Sequence, residues 1–396
     1  MPGRTMVLLA PALVPVASPR AVLAARDAVV IDLRSPGEFA LDHLPGASNV
    51  PLFDDAQRAI VGTLYARSSP DAALAEARKL VRGHLDLLVR EIARLGDWAK
   101  PEVDLVRQLD LWTQGGIGAL EESVPSVPCP SLPLRPVVLH CWRGGLRSRS
   151  VTSFVRALGL ERAVALEGGY RGYREWVRAG IEGWQAPPSF VLRGWTGVGK
   201  SLVLREIEVL RPGWTLDLEA LAGHRGSILG MVGLEPCNQK IFESRLFARL
   251  ERGFPGLCVV EGESRKVGNT VLPEPVWRAI DRGTALELVA AGERRVEVLT
   301  QDYLARPENR AEIAVQLPFI EQRLGPVKFH GVLTALLSQG RDRELVELLL
   351  ERYYDPLYRS SERGRGYAAT FDASRPPEAA ARVVQWIEAR LVGSGS

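Results

Sequence analysis

Short apolar runs ending in a polar or reactive residue recur along the chain. Residues 28–33 form one around Asp32, and Val137-Val138-Leu139 leads into His140-Cys141. Phe190-Val191-Leu192 leads into Arg193, and Leu257-Cys258-Val259-Val260 ends at Glu261. Runs of this length, bounded by turn residues, predict short buried strands. Between Leu52 and Pro136 the period changes. Leu74, Ala77, Val81, Leu85, Leu88, Ile92 and Leu95 recur at helical spacing with Arg and Glu between them. That pattern predicts an amphipathic helix, one of a pair, in a long insertion that packs on the neighbouring sheet. An RNA-facing or inter-domain surface is the sharper alternative. Residues 124–136 hold five prolines and read as a connector, and Pro187-Pro188 marks a domain linker over residues 184–189. Helical apolar spacing returns in residues 313–324, 343–352 and 378–391. The pattern as a whole is α/β in two domains: residues 1–185, with a helical insertion at about 53–135, and residues 189–392, with extra helices.

A chain of 396 residues suits two domains, and an apolar content of 46% is ample for packed cores. The net charge is +3, divided as +2 up to Ala186 and +1 beyond it, so neither half is polybasic. Basic patches can still assemble in three dimensions. Cys129, Cys141, Cys237 and Cys258 form no CxxC pair, which argues against a zinc site or disulfide framework and fits a reducing, cytoplasmic setting. The five histidines show no metal-ligand spacing. No apolar run approaches the ~20 residues that span a bilayer. Residues 6–17 are apolar after Arg4, as in a secretory leader, but Pro11 and Pro15 interrupt them. The final Gly393-Ser394-Gly395-Ser396 reads as a linker.

The richest stretch is His140-Cys141-Trp142-Arg143-Gly144-Gly145-Leu146-Arg147-Ser148. A cysteine between a strand and a helix meets the N–H groups of the loop and of the helix terminus. Gly144 and Gly145 let several N–H groups converge on one point, and Arg143 and Arg147 add positive charge. Such surroundings favour a thiolate and read Cys141 as a nucleophile; the bland alternative is a buried structural cysteine.

Upstream lie Asp32-Leu33-Arg34-Ser35-Pro36-Gly37-Glu38-Phe39 and His43-Leu44-Pro45-Gly46-Ala47; downstream lies Leu166-Glu167-Gly168-Gly169-Tyr170. With the Cys141 loop, these segments resemble the rhodanese domain. That resemblance implies a parallel sheet covered by helices on both faces, with the nucleophile at a strand's carboxyl end. Five residues, Trp142, Arg143, Gly144, Gly145 and Leu146, separate Cys141 from Arg147. Common sulfurtransferase rhodaneses have one fewer; the wider loop resembles that of rhodanese-like phosphatases and can surround a tetrahedral oxyanion. A phosphatase therefore stays open as an alternative, although no acidic residue is identified as its general acid.

In the second half, Gly194-Trp195-Thr196-Gly197-Val198-Gly199-Lys200-Ser201 follows a strand and opens a helix. This is a Walker A pattern in its required setting, so the loop N–H groups can wrap a diphosphate, Lys200 can counter its charge, and Ser201 is the candidate ligand for Mg²⁺. Glu261 ends its strand like a Walker B acid, and Glu263-Ser264-Arg265 follows. Asp217-Leu218-Glu219 and His224-Arg225-Gly226-Ser227 fall after the intervening strand, where they could reach the ligand or form ordinary polar loops. Tyr353-Tyr354-Asp355-Pro356-Leu357-Tyr358-Arg359, followed by Arg363 and Arg365, interleaves rings and charge as single-stranded RNA binders do.

Taken together, the Cys141 loop, the Walker A loop, Asp217-Leu-Glu219, His224-Arg-Gly-Ser227, Glu261-x-Glu-Ser-Arg265 and Tyr353-Tyr-Asp-Pro356 resemble the tRNA 2-selenouridine synthase family, over most of the chain from Asp32 to Tyr358. The resemblance implies a rhodanese-like domain followed by a P-loop domain. It also implies a transferase that converts wobble 2-thiouridine of tRNA to 2-selenouridine through an S-geranylated intermediate. Geranyl diphosphate and selenophosphate would be its co-substrates, and a selenophosphate-supplying enzyme a candidate partner; neither DNA nor a membrane is expected. By the same resemblance, Cys141, Arg143 and Arg147 would act in selenium transfer, with Trp142, Gly144, Gly145 and Leu146 around selenophosphate. Gly194, Thr196, Gly197, Val198, Gly199, Lys200, Ser201, Asp217, Glu219, Arg225, Glu261 and Arg265 would hold the diphosphate. Two other readings stay open: a phosphatase or sulfurtransferase coupled to an ATP- or GTP-binding domain, and a nucleotide-gated RNA-binding protein whose Cys141 only senses redox state.

Overall fold

In the computed structural model, which describes residues 10–361 and 364–393, the apolar runs of the first half become one parallel sheet. Its strands are β1 (Val14–Ala17), β2 (Val29–Asp32), β3 (Ser48–Asn49), β4 (Ser126–Pro128), β5 (Val137–His140) and β6 (Ala163–Leu166), in the order β3-β2-β5-β6-β1-β4. Helices α1 (Pro19–Ala24) and α2 (Pro36–Leu41) follow β1 and β2. Both faces of the central strands are covered, which is why β5 and β6 are apolar without alternation and are buried throughout. Part of the leader-like segment belongs to this sheet: Val14 in β1 is buried, whereas residues 6–9 lie outside the described residues.

The insertion departs from its expected form. It comprises α3 (Asp55–Arg67), α4 (Pro70–Arg82), α5 (Leu85–Leu95), α6 (Leu105–Thr113) and α7 (Gly116–Ser123). The single helix expected across residues 74–95 breaks at Gly83-His84. Gly83 donates its N–H to the Leu80 carbonyl and His84 donates its N–H to the Val81 carbonyl, which closes α4. His84 Nε2 bonds to the Leu52 carbonyl at 3.1 Å and anchors the turn to the sheet domain. The apolar period continues in phase across the break, so periodicity alone could not show it. Local caps start the helices: Asp54 and Gln57 form a capping box for α3, and Ser69 and Asp104 cap α4 and α6. Leu85, Leu88, Val89 and Ile92 of α5 pack with β2, β5 and α8 (Leu146–Ala157) in one core. The proline-rich connector also needs correction: Ser126–Pro128 pairs in parallel with β1 as an edge strand, where missing N–H donors are tolerated.

The chain passes through α9 (Gly169–Glu182), and the described residues divide into two compact units between Ala179 and Gly180. The second unit has strands β7 (Ser189–Arg193), β8 (Thr215–Leu216), β9 (Cys258–Glu261), β10 (Lys266–Val267), β11 (Thr270–Val271), β12 (Thr284–Val289) and β13 (Ala369–Asp372). Five of them form a parallel sheet in the order β13-β12-β7-β9-β8, and β10 and β11 make a small antiparallel pair. Helices α10 (Lys200–Leu210), α11 (Leu218–Ala222), α12 (Gln239–Glu251) and α13 (Glu274–Arg282) accompany the sheet. Helices α14 (Gly292–Leu304), α15 (Asn309–Leu324), α16 (Val332–Ser338) and α17 (Asp342–Leu349) build a separate helical core. A π-helical turn, Leu350–Tyr354, leads from α17 into α18 (Asp355–Ser361), and α19 (Pro376–Gly393) returns to pack on α10. Among the described residues no helix is long and apolar enough to cross a membrane.

The early Asp32-x-Arg34 signature is a buried bracket. The register pairs Asp32 with His140, and Arg34 binds Asp32 at 2.6 Å with both side chains inaccessible. Arg34 also donates to the Asp42 carbonyl at 2.7 Å and lies 3.8 Å beneath the Tyr170 ring, while Tyr170 donates to Asp42 Oδ2 at 2.8 Å. Removing one partner of such a pair strands a buried charge. Arg34→Met is therefore expected to lower stability by about 3–5 kcal/mol, seen as a lower urea midpoint; an unchanged midpoint would contradict this role.

Candidate active site

Cys141 follows β5 directly, and Leu146 opens α8 with Gly145 at its cap position, where no side chain caps the first turn. The N–H groups of that turn are left for a ligand or solvent. Gly144 has φ of +64°, and a Cβ there would lie 2.7 Å from the Gly169 nitrogen and 2.8 Å from the Leu166 carbonyl. Only glycine lets the loop press this closely on the segment 166–170. That segment in turn donates from Tyr170 N–H to the Cys141 carbonyl at 2.9 Å and from Arg171 N–H to the Trp142 carbonyl at 2.8 Å. Trp142 leans on Tyr170 with ring centroids 5.3 Å apart. The rhodanese-like signatures thus support one another: the closing segment clamps the loop, and the Asp32–Arg34 bracket seats Tyr170.

Cys141 is 2% exposed and lines a cavity of about 920 Å³ shared with Trp142, Arg143, Gly145, Leu146 and Arg147. The thiol is thus reached from a chamber. Ser148 was not singled out from sequence, yet its buried hydroxyl lies 3.2 Å from Cys141 Sγ and 3.3 Å from the Gly145 carbonyl. One hydroxyl proton cannot serve both acceptors, so Ser148 can turn toward the sulfur as negative charge develops there. Only its position, one helical turn inside α8, could have signalled this role. His140, fully buried beside Asp32 at 3.7 Å, is held below its ordinary pKa by desolvation and so favours the neutral ring.

In the second unit, residues 194–199 link β7 to α10, and Lys200 and Ser201 begin that helix. Lys200 spans the loop to the Gly194 carbonyl at 3.1 Å. Val198 is buried in the core, so it offers the site its backbone alone. Ser201 donates to Glu219 at 2.7 Å, and Glu219 N–H donates to Glu261 Oε2 at 3.3 Å. Glu261 is inaccessible, and its Oε1 has no hydrogen-bond partner. Gly226 stands over Glu263: a Cβ there would meet Glu263 Oε2 at 2.5 Å. The fold therefore gathers Glu219, Glu261 and Glu263 near the loop. Desolvation first, and their mutual repulsion next, hold Glu261 well above the usual carboxylate range and push Glu219 to about 7. Desolvation also raises Glu263, against the opposing charges of Lys200 and Arg193.

Other predicted residues are placed differently. Asp217 caps α11 by accepting from Ala220 N–H at 2.7 Å. Arg225 donates to the Val232 carbonyl and faces the Tyr303 ring, and Arg265 turns to Glu274 at 2.8 Å on an exposed surface. The RNA-stacking expectation for residues 353–359 is corrected in part. Tyr353 and Tyr354 are buried edge to face, 5.2 Å apart, in the helical core. Asp355 binds Arg295 at 2.5 Å, and Arg295 donates to the Thr196 carbonyl at 2.8 Å. The motif thus braces the loop of residues 194–199. Arg363 lies outside the described residues.

Residues 187–392 match the sequence model of a domain family described as the tRNA 2-selenouridine synthase AAA domain. The tRNA 2-selenouridine synthase of Chromohalobacter salexigens is 31% identical over 355 residues, covering 83% of this chain and 87% of its own length. That of Cupriavidus pinatubonensis is 31% identical over 392 residues, covering 91% of this chain and 94% of its own. The chain belongs to the tRNA 2-selenouridine synthase family. It is accordingly an enzyme of this family.

The acidic cluster makes stability depend on pH. Glu219 rises from 4.5 to about 7, so the folded chain holds this proton more tightly than the unfolded one. The resulting stability is full below about pH 4.5 and lost as pH rises through about 7. In chelator-treated buffer the melting temperature should fall between those values, and Glu219→Gln should make that fall smaller, leaving the part owed to Glu261 and Glu263. An unaltered pH profile in Glu219→Gln would show that the proton resides elsewhere.

Proposed function

We propose that the chain converts wobble 2-thiouridine of tRNA to 2-selenouridine through an S-geranylated intermediate, using geranyl diphosphate and selenophosphate. The observation that carries this reading, beside the family membership, is a thiol lining a chamber together with Arg143 and Arg147. A carbon-bound sulfur can be exchanged there, and the wide loop suits a tetrahedral selenophosphate. The Walker A loop supplies the second requirement, a cradle for diphosphate.

As a thione, sulfur on C2 of uracil is a poor leaving group. In the first step it attacks the allylic carbon of geranyl diphosphate, the carbon–oxygen bond breaks, and the base loses its N3 proton. Diphosphate departs with the electron pair, countered by Lys200 and the loop N–H groups. In the second step Cys141 adds to C2 and geranyl thiolate leaves with the electrons of the C2–S bond. Selenium of selenophosphate then displaces the cysteine thiolate, with Arg143 and Arg147 holding the phosphoryl oxygens. Water cleaves the phosphorus–selenium bond, leaving phosphate and the selenouridine, which regains its N3 proton. Ser148 would steady the thiolate whenever Cys141 is free.

The residues at the second loop also fit Mg²⁺. A serine hydroxyl and the unpartnered, buried Oε1 of Glu261 are hard oxygen donors, and a cation would relieve the crowded carboxylates. Among the described residues no three His, Cys, Asp or Glu side chains gather as a metal site, so the diphosphate would complete the ligand set. Such an ion would supply charge neutralisation for the departing diphosphate.

Two variants separate the steps. Cys141→Ala should abolish selenium incorporation while geranylation of thiolated tRNA stays measurable by nucleoside mass spectrometry. Lys200→Ala should impair geranyl transfer by about a hundredfold, the scale of losing one oxyanion-stabilising donor, while pre-geranylated tRNA is still converted to selenouridine. Equal loss of both steps in each folded variant would contradict the division of labour. Release of phosphate from simple phosphoesters would favour a phosphatase instead.

A further inference from the structure

We infer that the chamber between the helical insertion and the Cys141 loop is the binding site for the isoprenoid chain of the S-geranyl intermediate. This rests on the reading above and assigns a purpose to the part of the insertion that faces the space before Cys141, whereas α5 is built into the core of the sheet. The chamber measures about 920 Å³, toward the upper end of the range common for small-molecule sites. A recess of this size beside a reactive sulfur has room for a small hydrocarbon group.

Its walls state the occupant's chemistry. Leu74 and Val81 of α4, Leu109 and Trp112 of α6, and Phe154 of α8 line it, a surface suited to hydrocarbon. Helix α3 also lines the chamber, yet contains no buried residue, and its Tyr65 is 58% exposed. Its Val61 is only partly buried where it meets the core, and its Ile60 is 49% exposed. The charged lining is mostly positive: Arg58, Arg67, Arg78, Arg143, Arg147 and Arg149 against the single acid Glu121. An apolar interior edged with arginine suits a hydrocarbon chain carried on a polyanion, as geranylated RNA is.

Geometry links the chamber to the reaction. Cys141 is almost inaccessible except as part of this wall, so the base must present C2 here. The substituent on C2 then enters the same space. A chain seated in the chamber fixes the C2–S bond against Cys141, and geranyl thiol leaves into an apolar pocket. A short S-alkyl group would make the same bond available without the anchoring contacts.

The test uses the full chain and synthetic anticodon stem-loop RNAs bearing S-geranyl-, S-farnesyl- or S-ethyl-2-thiouridine. Buried methylenes favour the longer chain, so S-geranyl RNA should bind the wild type at least about tenfold more tightly than S-ethyl RNA. Leu74→Trp fills the chamber and should reduce that advantage to about twofold or less, with S-ethyl binding unchanged. Trp112→Ala enlarges it and should raise the affinity for S-farnesyl relative to S-geranyl RNA by about fivefold, a gain that misfolding cannot mimic. Wild-type chain-length preference in both variants would overturn the assignment. If preference follows the chamber but no RNA yields selenouridine, the functional reading fails and the pocket stands. If selenouridine forms while preference ignores the chamber, the pocket fails and the reading stands.

Discussion

A parallel strand buried on both faces cannot carry chemistry along its length, so it delivers its functional residue where the chain leaves the sheet. Both units of this protein are organised by that constraint. β5 is wholly apolar until it reaches His140 and Cys141, and β7 is apolar until Arg193 and the loop that follows. At each exit the backbone must turn sharply into a helix whose first N–H groups are unpaired. The glycines of the two loops answer that requirement, and each loop brings main-chain N–H groups together with Arg or Lys.

The supports differ between the two. Around Cys141 the support is close backbone contact. Gly144 and Gly169 leave no room for a side chain, and the ladder from Tyr170 and Arg171 holds the loop from behind. Tyr170 is itself seated by Arg34 and Asp42, so residues far apart in sequence converge on one loop. Around Lys200 the support is electrostatic. Arg295 ties Asp355 to the Thr196 carbonyl, and buried carboxylates stand behind Ser201. Their raised affinity for protons marks an environment that gains by receiving positive charge.

The insertion changes what a rhodanese-like loop can face. A sheet domain alone would leave Cys141 at a surface crevice. Helices α3 to α7 wall the space before it, with α5 committed to the core and α3 buried nowhere. That division, one helix anchoring and another with no fully buried residue, leaves apolar surface free within a chamber whose charged lining is almost wholly arginine.

Sequence by itself determined the local elements and the chemistry they can offer. Apolar runs of strand length, the Gly-rich loops after them and the Walker A spacing depend on neighbours in the chain, and the strands and both loops formed where these patterns lie. Tertiary structure alone decided everything that depends on distant partners. The continuous period across Gly83-His84 hid a break set by His84 reaching Leu52, and the prolines of residues 124–136 hid an edge strand that exists only because β1 lies beside it. Tyr353 and Tyr354 read as exposed rings, yet a helical core claims them, and Asp355 gains its role from Arg295, sixty positions away. Periodicity records which face is apolar, but not whether protein, ligand or solvent will cover it; that is settled when separate elements pack.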